Sequence, residues 1–437
     1  MENKKPENLE NNKLNQLTSI LISLILIAYF FYGFYVDENS AGAGGYNGDF
    51  KSIWANLLLL KEGIFQNIDN ILYNDSRPPL SYILHILFNP FSNEQFTFRI
   101  SAFLISLLVP VLLFFSIKQN YFYLDNHIVF LLSSIITLSP YFRTTAYWGL
   151  GENYGLIFLL GSYLLFKKLQ KNYKIEKNKI NILLIFFLCL CSSLTIYFDQ
   201  KLIFLPSLIF ILILNMKINI KFKIFSFLFY TLFSLPYIYL IYRWGTIIPP
   251  SATSARGVGQ IIELYQLGYC FTILGFYIIP FLLLSDLKLS EIKNKIFDKK
   301  FLIIVLIFSL YLILTIALID FETLRIEGKG IFHKLSLIIF ENNNLRFIFT
   351  IFIFFGSLLL TYLFFEDKKD LAIIIYFLAL SILTFPFYQE YLDPLFYILI
   401  FSFFQVKLKI NYQKVYFIFF YFLIFSLASK YYYSLIL

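Results

Sequence analysis

The sequence has few charged residues, and this scarcity excludes an ordinary soluble protein. Only 14% of its 437 residues are charged and 59% are hydrophobic, whereas average soluble domains have about 25% charged and about 45–50% apolar residues. Because the outside of a soluble fold must face water, such a fold could not hide this much apolar surface. A lipid bilayer removes that requirement, and we therefore predict an integral membrane protein.

Cysteine and histidine are also scarce, with three residues of each. The cysteines lie within apolar runs, so we interpret them as small core residues rather than as a redox or metal motif. The histidines are far apart and show no metal-ligand spacing. We expect no cofactor, although carboxylates are suitable ligands for a divalent cation and leave that alternative open.

The chain shows no internal repeat, no soluble domain and no small-residue cleavage site after its first apolar run. We predict an all-α polytopic membrane protein with residues 1–16 as a cytoplasmic tail and 17–437 as a single membrane domain of about 11–13 transmembrane helices. The predicted spans are 17–36, 97–117, 127–141, 152–166, 180–198, 201–216, 224–242, 264–285, 301–319, 345–365, 371–388, 394–406 and 415–429.

The basic residues divide between two sets of loops. With a cytoplasmic N-terminus, the inner segments hold 23 of the 36 basic residues, and all 23 are lysines, as the tendency of cytoplasmic loops to be positive predicts. The other 13 include every arginine. Since the planar arginine fork suits phosphate and carboxylate groups, this segregation indicates an outer site for an anion. Composition drift and anchoring at helix ends remain the alternative.

The first outer loop, residues 37–96, is the longest segment between predicted spans. Its apolar residues between Asp49 and Ile71 recur at helical spacing and predict a helix in the plane of the membrane interface. A second short helix is predicted at Leu80–Phe88, after the Pro78–Pro79 break. The same loop contains Asp37, Glu38 and Asp49, which are carboxylates close to the predicted outer surface.

In this loop the motif order is Asp49-Phe50, then Leu60-Lys-Glu-Gly-Ile-Phe65, then Arg77-Pro-Pro-Leu80-Ser-Tyr82. This order resembles the first external loop of the GT-C glycosyltransferases. It is most similar to glycosyltransferase family 39, the branch of the protein O-mannosyltransferases and the lipid A aminoarabinose transferases. The resemblance is carried by roughly residues 37–100; the rest of the chain matches mainly in topology.

The resemblance implies a GT-C-like multi-helix fold and an inverting transfer of sugar from a polyprenyl-phosphate donor on the extracytoplasmic face. An acidic residue would act as the base. Family members usually have Asp-Glu just after the first helix, where this chain has Asp37-Glu38. Asp49 has the better spacing to Pro78–Pro79, so we favour Asp49 and keep Asp37 and Glu38 as alternatives. A helix N-cap is the structural interpretation of Asp49.

The departing phosphate needs positive charge placed in advance, and the sugar needs polar and aromatic contacts. The candidate substrate-binding residues are Arg77, Tyr82, Arg143, Trp148, Glu152, Lys201, Arg243 and Arg256. Several have structural alternatives: an Arg143–Glu152 ion pair, an Asp199–Lys201 ion pair, and membership of Trp148 in an interfacial aromatic belt.

Gly328-Lys329-Gly330 is a further candidate because glycine lets backbone amides approach an anion. The sequence is not a P-loop, since the Gly-x4-Gly-Lys-Ser/Thr pattern is absent.

The expected partners are a polyprenyl-phosphate sugar, membrane lipids, and a glycan, lipid or protein acceptor. Nucleic acid is not expected, because the basic residues form no single stripe. The Ile-, Lys-, Asn- and Phe-rich composition indicates an A/T-rich bacterial genome, and hence the inner (plasma) membrane. The competing hypotheses are a transporter or flippase of a lipid-linked saccharide and a lipid-linked glycan polymerase or ligase.

Overall fold

The computed structural model describes residues 6–41, 45–175, 181–250, 262–285, 289–315, 318–319, 328–384 and 387–436. Within these residues the chain is all-helical and contains no strand. It packs as two compact units. The first contains the described residues up to 250 together with 425–435, and the second contains those from 262 to 424.

The helices of the first unit are α1 Pro6–Tyr35, α2 Lys51–Glu62, α3 Ile64–Asn67, α4 Leu80–Phe88, α5 Gln95–Ser106, α6 Leu108–Asn120, α7 Asn126–Ile135, α8 Pro140–Trp148, α9 Glu152–Ile175, α10 Ile182–Phe198, α11 Phe204–Asn215 and α12 Ile220–Trp244. Short helical turns lie at Tyr46–Phe50, Ile136–Leu138 and Gln200–Ile203.

The helices of the second unit are α13 Gln266–Leu282, α14 Leu289–Ile296, α15 Lys299–Thr315, α16 Gly330–Ile339, α17 Asn343–Phe364, α18 Lys368–Leu383 and α19 Leu395–Phe401, with a short turn at Gln389–Tyr391. The last helix, α20 at Tyr412–Ile436, supplies residues to both units.

Five helices in the described residues are long and apolar enough to cross a membrane, in agreement with an integral membrane protein. They are Lys13–Tyr35, Gln95–Asn120, Ile220–Trp244, Asn343–Phe364 and Tyr412–Ser434. The pair Asn126–Leu138 and Pro140–Trp148 forms a sixth apolar stretch bent by 71°. The larger total of 11–13 spans stays a prediction, and shorter apolar helices such as α10, α11 and α13 are the further candidates.

Local sequence explains the bend in the sixth stretch. The ring of Pro140 fixes φ and lacks an N–H, which suits the first turn of a new helix and ends the preceding one. Ser139 caps this new helix, because its hydroxyl accepts a hydrogen bond from the Phe142 N–H at 3.0 Å. The bend directs α8 away from the line of α7 and thereby positions Arg143 and Trp148.

The predicted span 394–406 is wrong as a membrane crossing. Its helix covers only Leu395–Phe401, seven residues that are all buried, or about 10 Å of rise, whereas the hydrocarbon layer is about 30 Å thick. The backbone leaves the helical region at Ser402. Three residues later Gln405 donates its N–H to both carboxylate oxygens of Asp370 at 3.0 Å. The side chains of this apolar run are therefore buried within the protein, and the run does not form a membrane-spanning helix.

The first loop contains the helices that its periodicity predicts. The helix predicted between Asp49 and Ile71 is divided into α2 and α3 at Gly63, and it buries Ile53, Leu57 and Leu60. The predicted helix Leu80–Phe88 is confirmed with the same bounds. The loop that contains these helices connects the end of α1 to the start of α5.

Candidate functional site

The first loop opens with two consecutive carboxylates that enter different environments. The chain reverses after α1 at Asp37, which has a positive φ of 52°, a conformation that non-glycine residues seldom adopt. Glu38 turns inward and is 5% exposed, whereas the side chain of Asp37 is 53% exposed. The reversal therefore divides two neighbouring acids between a buried site and the surface.

Glu38 is held by a bidentate arginine pair. Its two carboxylate oxygens accept hydrogen bonds from Arg143 Nε at 3.0 Å and Nη2 at 2.9 Å. The Ser40 hydroxyl and the Lys430 ammonium also donate to it. Burial raises the pKa of Glu38, but the charge of Arg143 and these hydrogen bonds outweigh burial and leave the pKa below its ordinary value of 4.5. Glu38 is thus a stably ionised partner in a closed network.

Arg143 is itself enclosed. Its guanidinium is fully buried, lies 4.1 Å from the centre of the Tyr29 ring, and donates from Nη1 to the Thr137 carbonyl at 3.2 Å. Gly33 of α1 permits this approach, because a Cβ there would collide with the guanidinium and with the Tyr147 hydroxyl. An arginine buried at a helix end is costly unless it is paired, and here Glu38 supplies the pairing charge.

Asp37 is held by a different arginine, Arg99, near the start of α5. Arg99 Nη2 donates to Asp37 Oδ1 at 2.6 Å, and Arg99 Nε donates to the Tyr147 carbonyl at 3.2 Å. The Arg99 guanidinium lies 4.5 Å from the centre of the Trp148 ring and also contacts the rings of Phe34, Tyr46 and Phe50. We call these four rings the aromatic cage of Arg99. The cage fixes the cation, and the cation orients the half-exposed carboxylate of Asp37.

Asp49 lies on the helical turn that closes this cage. The turn Tyr46–Phe50 supplies two of the four rings that surround Arg99, so Asp49 lies on a segment that packs against the arginine bound to Asp37. Asp49 is half-buried. Its interpretation as an N-cap is wrong, because Gly45 occupies the N-cap of this turn and Phe50 that of α2.

A second network joins the Arg77-Pro-Pro turn to the start of α9. Arg77 pairs with Glu152 through Nη2 and with Asp75 through Nη1, the latter at 3.2 Å. The buried Tyr82 donates its hydroxyl to Asp75 Oδ2 at 2.5 Å. Burial, followed by the charge of Asp75, raises the pKa of Tyr82, so its hydroxyl stays protonated as the donor. This network holds the turn against the membrane helices.

The predicted alternative of an Arg143–Glu152 ion pair is therefore wrong. Arg143 and Glu152 lie at facing helix ends, but each has another partner: Glu38 for Arg143 and Arg77 for Glu152. The sequence did not predict these partners because they come from the first loop: Glu38 is 105 residues from Arg143, and Arg77 is 75 residues from Glu152.

Lys201 is paired within its own turn. Its Nζ lies 3.0 Å from Asp199 Oδ2, and its backbone N–H donates to Asp199 Oδ1 at 3.2 Å, so the predicted Asp199–Lys201 pair is confirmed. The turn packs against the first residues of α9, since a Cβ on Gly155 would stand 3.5 Å from the Asp199 Cβ. Lys201 consequently lies close to the helix that begins with Glu152.

Arg243 lies at the end of α12 and binds the first loop. Its Nε and Nη2 both donate to Asp69 Oδ2, at 3.0 and 2.8 Å. The next residue, Trp244, donates its indole N–H to the Ile68 carbonyl at 2.8 Å. Arg256, the last of the predicted phosphate ligands, lies outside the described residues.

Each of the four candidate substrate-binding cations in the described part of the chain is therefore paired with a carboxylate: Arg77, Arg143, Lys201 and Arg243. Trp148 has no exposed surface, and its ring packs against Arg99 rather than facing a ligand. Sequence reasoning missed Arg99 and Asp75 as site residues. Arg99 could have been found from its place in the first turns of an apolar helix, where an unpaired charge is costly. Asp75 gives no comparable signal.

In the Gly328-Lys329-Gly330 motif of the second unit, the central amide is already hydrogen-bonded. Lys329 donates its N–H to the Phe387 carbonyl at 3.0 Å, and the following Ile331 N–H donates to Gln389 Oε1 at 2.9 Å. Each glycine is needed for close packing, because a Cβ would collide with Phe387 at position 328 and with Ile273 at position 330. These contacts explain the glycines without an anion.

No group of three or more histidine, cysteine, aspartate or glutamate side chains that could hold a metal occurs in the described residues. Asp37, Glu38 and Asp69 are instead each paired with an arginine. No family model, curated protein or solved structure matches the chain.

Proposed function

We propose that the chain is a GT-C-type glycosyltransferase of the bacterial plasma membrane. It would transfer a sugar from a polyprenyl-phosphate donor to an acceptor on the extracytoplasmic face, with inversion at the anomeric carbon. The N-terminus would lie in the cytoplasm, which places the first loop on the outer side. The proposal rests on the motif order of that loop and on the geometry of its carboxylates.

The observation that carries the proposal is the environment of Asp37. Its backbone has a positive φ because α1 ends there, with the N–H of Glu38 bonded back to the Gly33 carbonyl at 2.9 Å, a common way for a helix to end. Its carboxylate is half-exposed and is oriented through one oxygen by Arg99. An accessible, oriented carboxylate is what a general base requires.

Among the three candidate bases, this geometry favours Asp37. Both oxygens of Glu38 are occupied by Arg143 within a buried network, so Glu38 would serve structure. Asp49 lies on the turn that supplies Tyr46 and Phe50 to the aromatic cage of Arg99. It is the second candidate, although the motif spacing in the sequence favoured it over Asp37.

The reaction assigns a separate task to each group. The acceptor hydroxyl attacks the anomeric carbon while Asp37 accepts its proton, and the bond from that carbon to the phosphate oxygen breaks. The electron pair leaves with the polyprenyl phosphate. Positive charge near the phosphate lowers the energy of this departure. Arg77 is the proposed source, because its side chain is 21% exposed and is bound by carboxylates that a phosphate could replace.

A saccharide transporter is the main competitor. Transporters bind substrate near the bilayer midplane, on broken helices that belong to repeated halves. The charged networks in the described part of the first unit lie instead at helix ends and in the first loop. This placement favours a reaction at the membrane surface over transport of a saccharide across the membrane.

The test measures turnover of polyprenyl-phosphate sugars by the purified full chain in lipid nanodiscs. Donor loss is followed by mass spectrometry with a mixed acceptor extract. We expect Asp37→Asn to reduce turnover about 100-fold, the usual scale for loss of a general base. Glu94→Gln is the matched control, an exposed carboxylate of the same loop, and it should retain activity.

The outcomes separate the candidates. A 100-fold loss in Asp49→Asn with an active Asp37→Asn variant would move the base to Asp49. No turnover of any donor by folded wild-type protein would contradict the enzyme proposal and favour the transporter.

A further inference from the structure

A pocket opens beside the turn that carries Asp49. It has a volume of about 620 Å³ and is open to the surface. The first turns of α2 form one wall, and the segment from Ile71 to Asn74 forms the other. None of the residues proposed for the reaction lines it, so the pocket is a separate feature of the first loop.

The floor of the pocket is a fixed set of amide groups. Asn56, which is buried, accepts the Asn74 N–H through Oδ1 at 3.0 Å and donates through Nδ2 to the Asn74 carbonyl at 3.2 Å. Ser52 donates to the same carbonyl at 3.2 Å. These hydrogen bonds connect the two walls of the pocket to each other.

The mouth of the pocket combines one positive charge with apolar side chains. Lys51 is exposed and is the only charged residue among the described residues that line the pocket. Ile71 and Leu72, on the facing wall, are 64% and 69% exposed. Such apolar exposure beside a cation suits a molecule that has both an anionic part and a hydrocarbon part.

The residues that line the pocket further restrict the chemical class of its ligand. Asn47 adds an amide to the wall near Lys51, and amides donate to and accept from hydroxyl groups. The described lining includes no aromatic ring and no carboxylate. A hydroxyl-rich head group with one negative charge would be matched by the Asn47 amide and by Lys51, whereas a cationic ligand would be repelled.

We propose that this pocket binds the anionic, hydroxyl-rich head group of a membrane lipid, with Lys51 on the negative charge and the lipid chain leaving past Ile71 and Leu72. The assignment rests on the proposed function only in its choice of lipid. Donor and acceptor lipids share this head-group chemistry, and binding measurements distinguish them.

The experiment measures binding rather than turnover, on the full chain in nanodiscs of neutral lipid. Three probes are titrated: a short-chain polyprenyl-phosphate mannose as the donor type, phosphatidylinositol as the anionic acceptor type, and a neutral glucosyl diacylglycerol. We expect one or both anionic probes to bind at least about tenfold more tightly than the neutral probe. The tighter anionic probe identifies the donor or the acceptor as the occupant.

Two variants test the pocket. Lys51→Gln should weaken the anionic probe about tenfold, and Lys51→Arg should restore it; Lys221→Gln, an exposed lysine outside the pocket, is the charge control. Ala55→Phe places a ring in the pocket from an exposed lining position and should abolish binding. Leu58→Phe, exposed on the same helix and outside the lining, should not.

Equal binding of all three probes, or unchanged binding in both Lys51→Gln and Ala55→Phe, would overturn the pocket assignment. Neither result would affect the turnover test of Asp37. Conversely, head-group binding by a protein without transferase activity would support the pocket assignment and contradict the proposed glycosyltransferase activity.

Discussion

Asp37 and Glu38 are neighbours in the sequence, yet their arginine pairs form two contrasting regions of the structure. The Glu38–Arg143 pair is closed, because both side chains are buried and two hydrogen bonds join them. Ser40 and Lys430 also donate to Glu38. The Asp37–Arg99 pair is open on one side, because the arginine is buried among aromatic rings while the carboxylate reaches the surface.

The contrast shows that burial decides whether a carboxylate is suited to a structural or to a catalytic role. A buried carboxylate with every oxygen occupied stabilises a fold and is poorly suited to exchange protons with a substrate. A carboxylate held by one oxygen at the surface is oriented and still accessible. The same residue types can therefore be assigned to structure or to chemistry only when their surroundings are known.

Removal of Arg143 should have the largest effect on stability. Arg143→Ala leaves the Glu38 carboxylate buried without its main partner, and such a loss typically costs about 3–5 kcal/mol. We expect the melting temperature of the detergent-purified protein to fall strongly, as followed by intrinsic fluorescence. A change as small as that of an exposed control, Glu94→Gln, would show that the network is not structural.

Removal of Arg99 should destabilise the protein less than removal of Arg143. Arg99→Ala loses the contacts with the aromatic cage, but water can solvate the half-exposed carboxylate of Asp37 that remains. We expect a loss of about 1–2 kcal/mol, the scale of a desolvated cation–π contact, together with reduced turnover. Equal melting temperatures for the two arginine variants would remove the distinction between the closed and open pairs.

The closed pair should also give stability a dependence on pH. Because the pKa of Glu38 is lowered in the fold, its contribution is complete above the ordinary pKa of 4.5 and is lost as the pH falls through the lower folded value. Melting curves between pH 7 and pH 3 should show this acid component in the wild type. In Glu38→Gln it should be smaller; an unchanged acid component would assign it to other carboxylates.

The Arg243–Asp69 pair should contribute least to the stability of the protein. Both side chains are about 30% exposed, and exposed pairs contribute little to stability because water and salt screen them. Arg243→Gln should shift the melting temperature by only a few degrees and leave turnover close to that of the wild type. A loss of turnover as large as that of Asp37→Asn would show that Arg243 binds the donor, as the sequence predicted.

Local sequence signals predicted the helices of the first loop well. The bounds of Leu80–Phe88 follow from Pro79 before it, and the buried face of α2 follows from apolar spacing. The span at 394–406 failed because a buried apolar run and a membrane crossing have the same composition. The pairing of Asp199 with Lys201 was predictable because both lie in one turn.

Long-range pairing could not be predicted in the same way. Sequence reasoning proposed Glu152 as the structural partner of Arg143 because the two lie at facing helix ends, and it left Arg99 without a role. The observed partners, Glu38 for Arg143 and Asp37 for Arg99, are 105 and 62 residues away. Nothing local encodes such a choice, since any of the outer carboxylates has the charge to satisfy any of the arginines.

By itself, the sequence determined the membrane character, the helical secondary structure and the collection of arginines and acids in and around the first loop, because composition and periodicity act locally. Only the tertiary structure decided which acid pairs with which arginine and which carboxylate stays accessible. Those choices depend on how the first loop folds back onto α5, α8 and α9, and burial then fixes the cost of every charge.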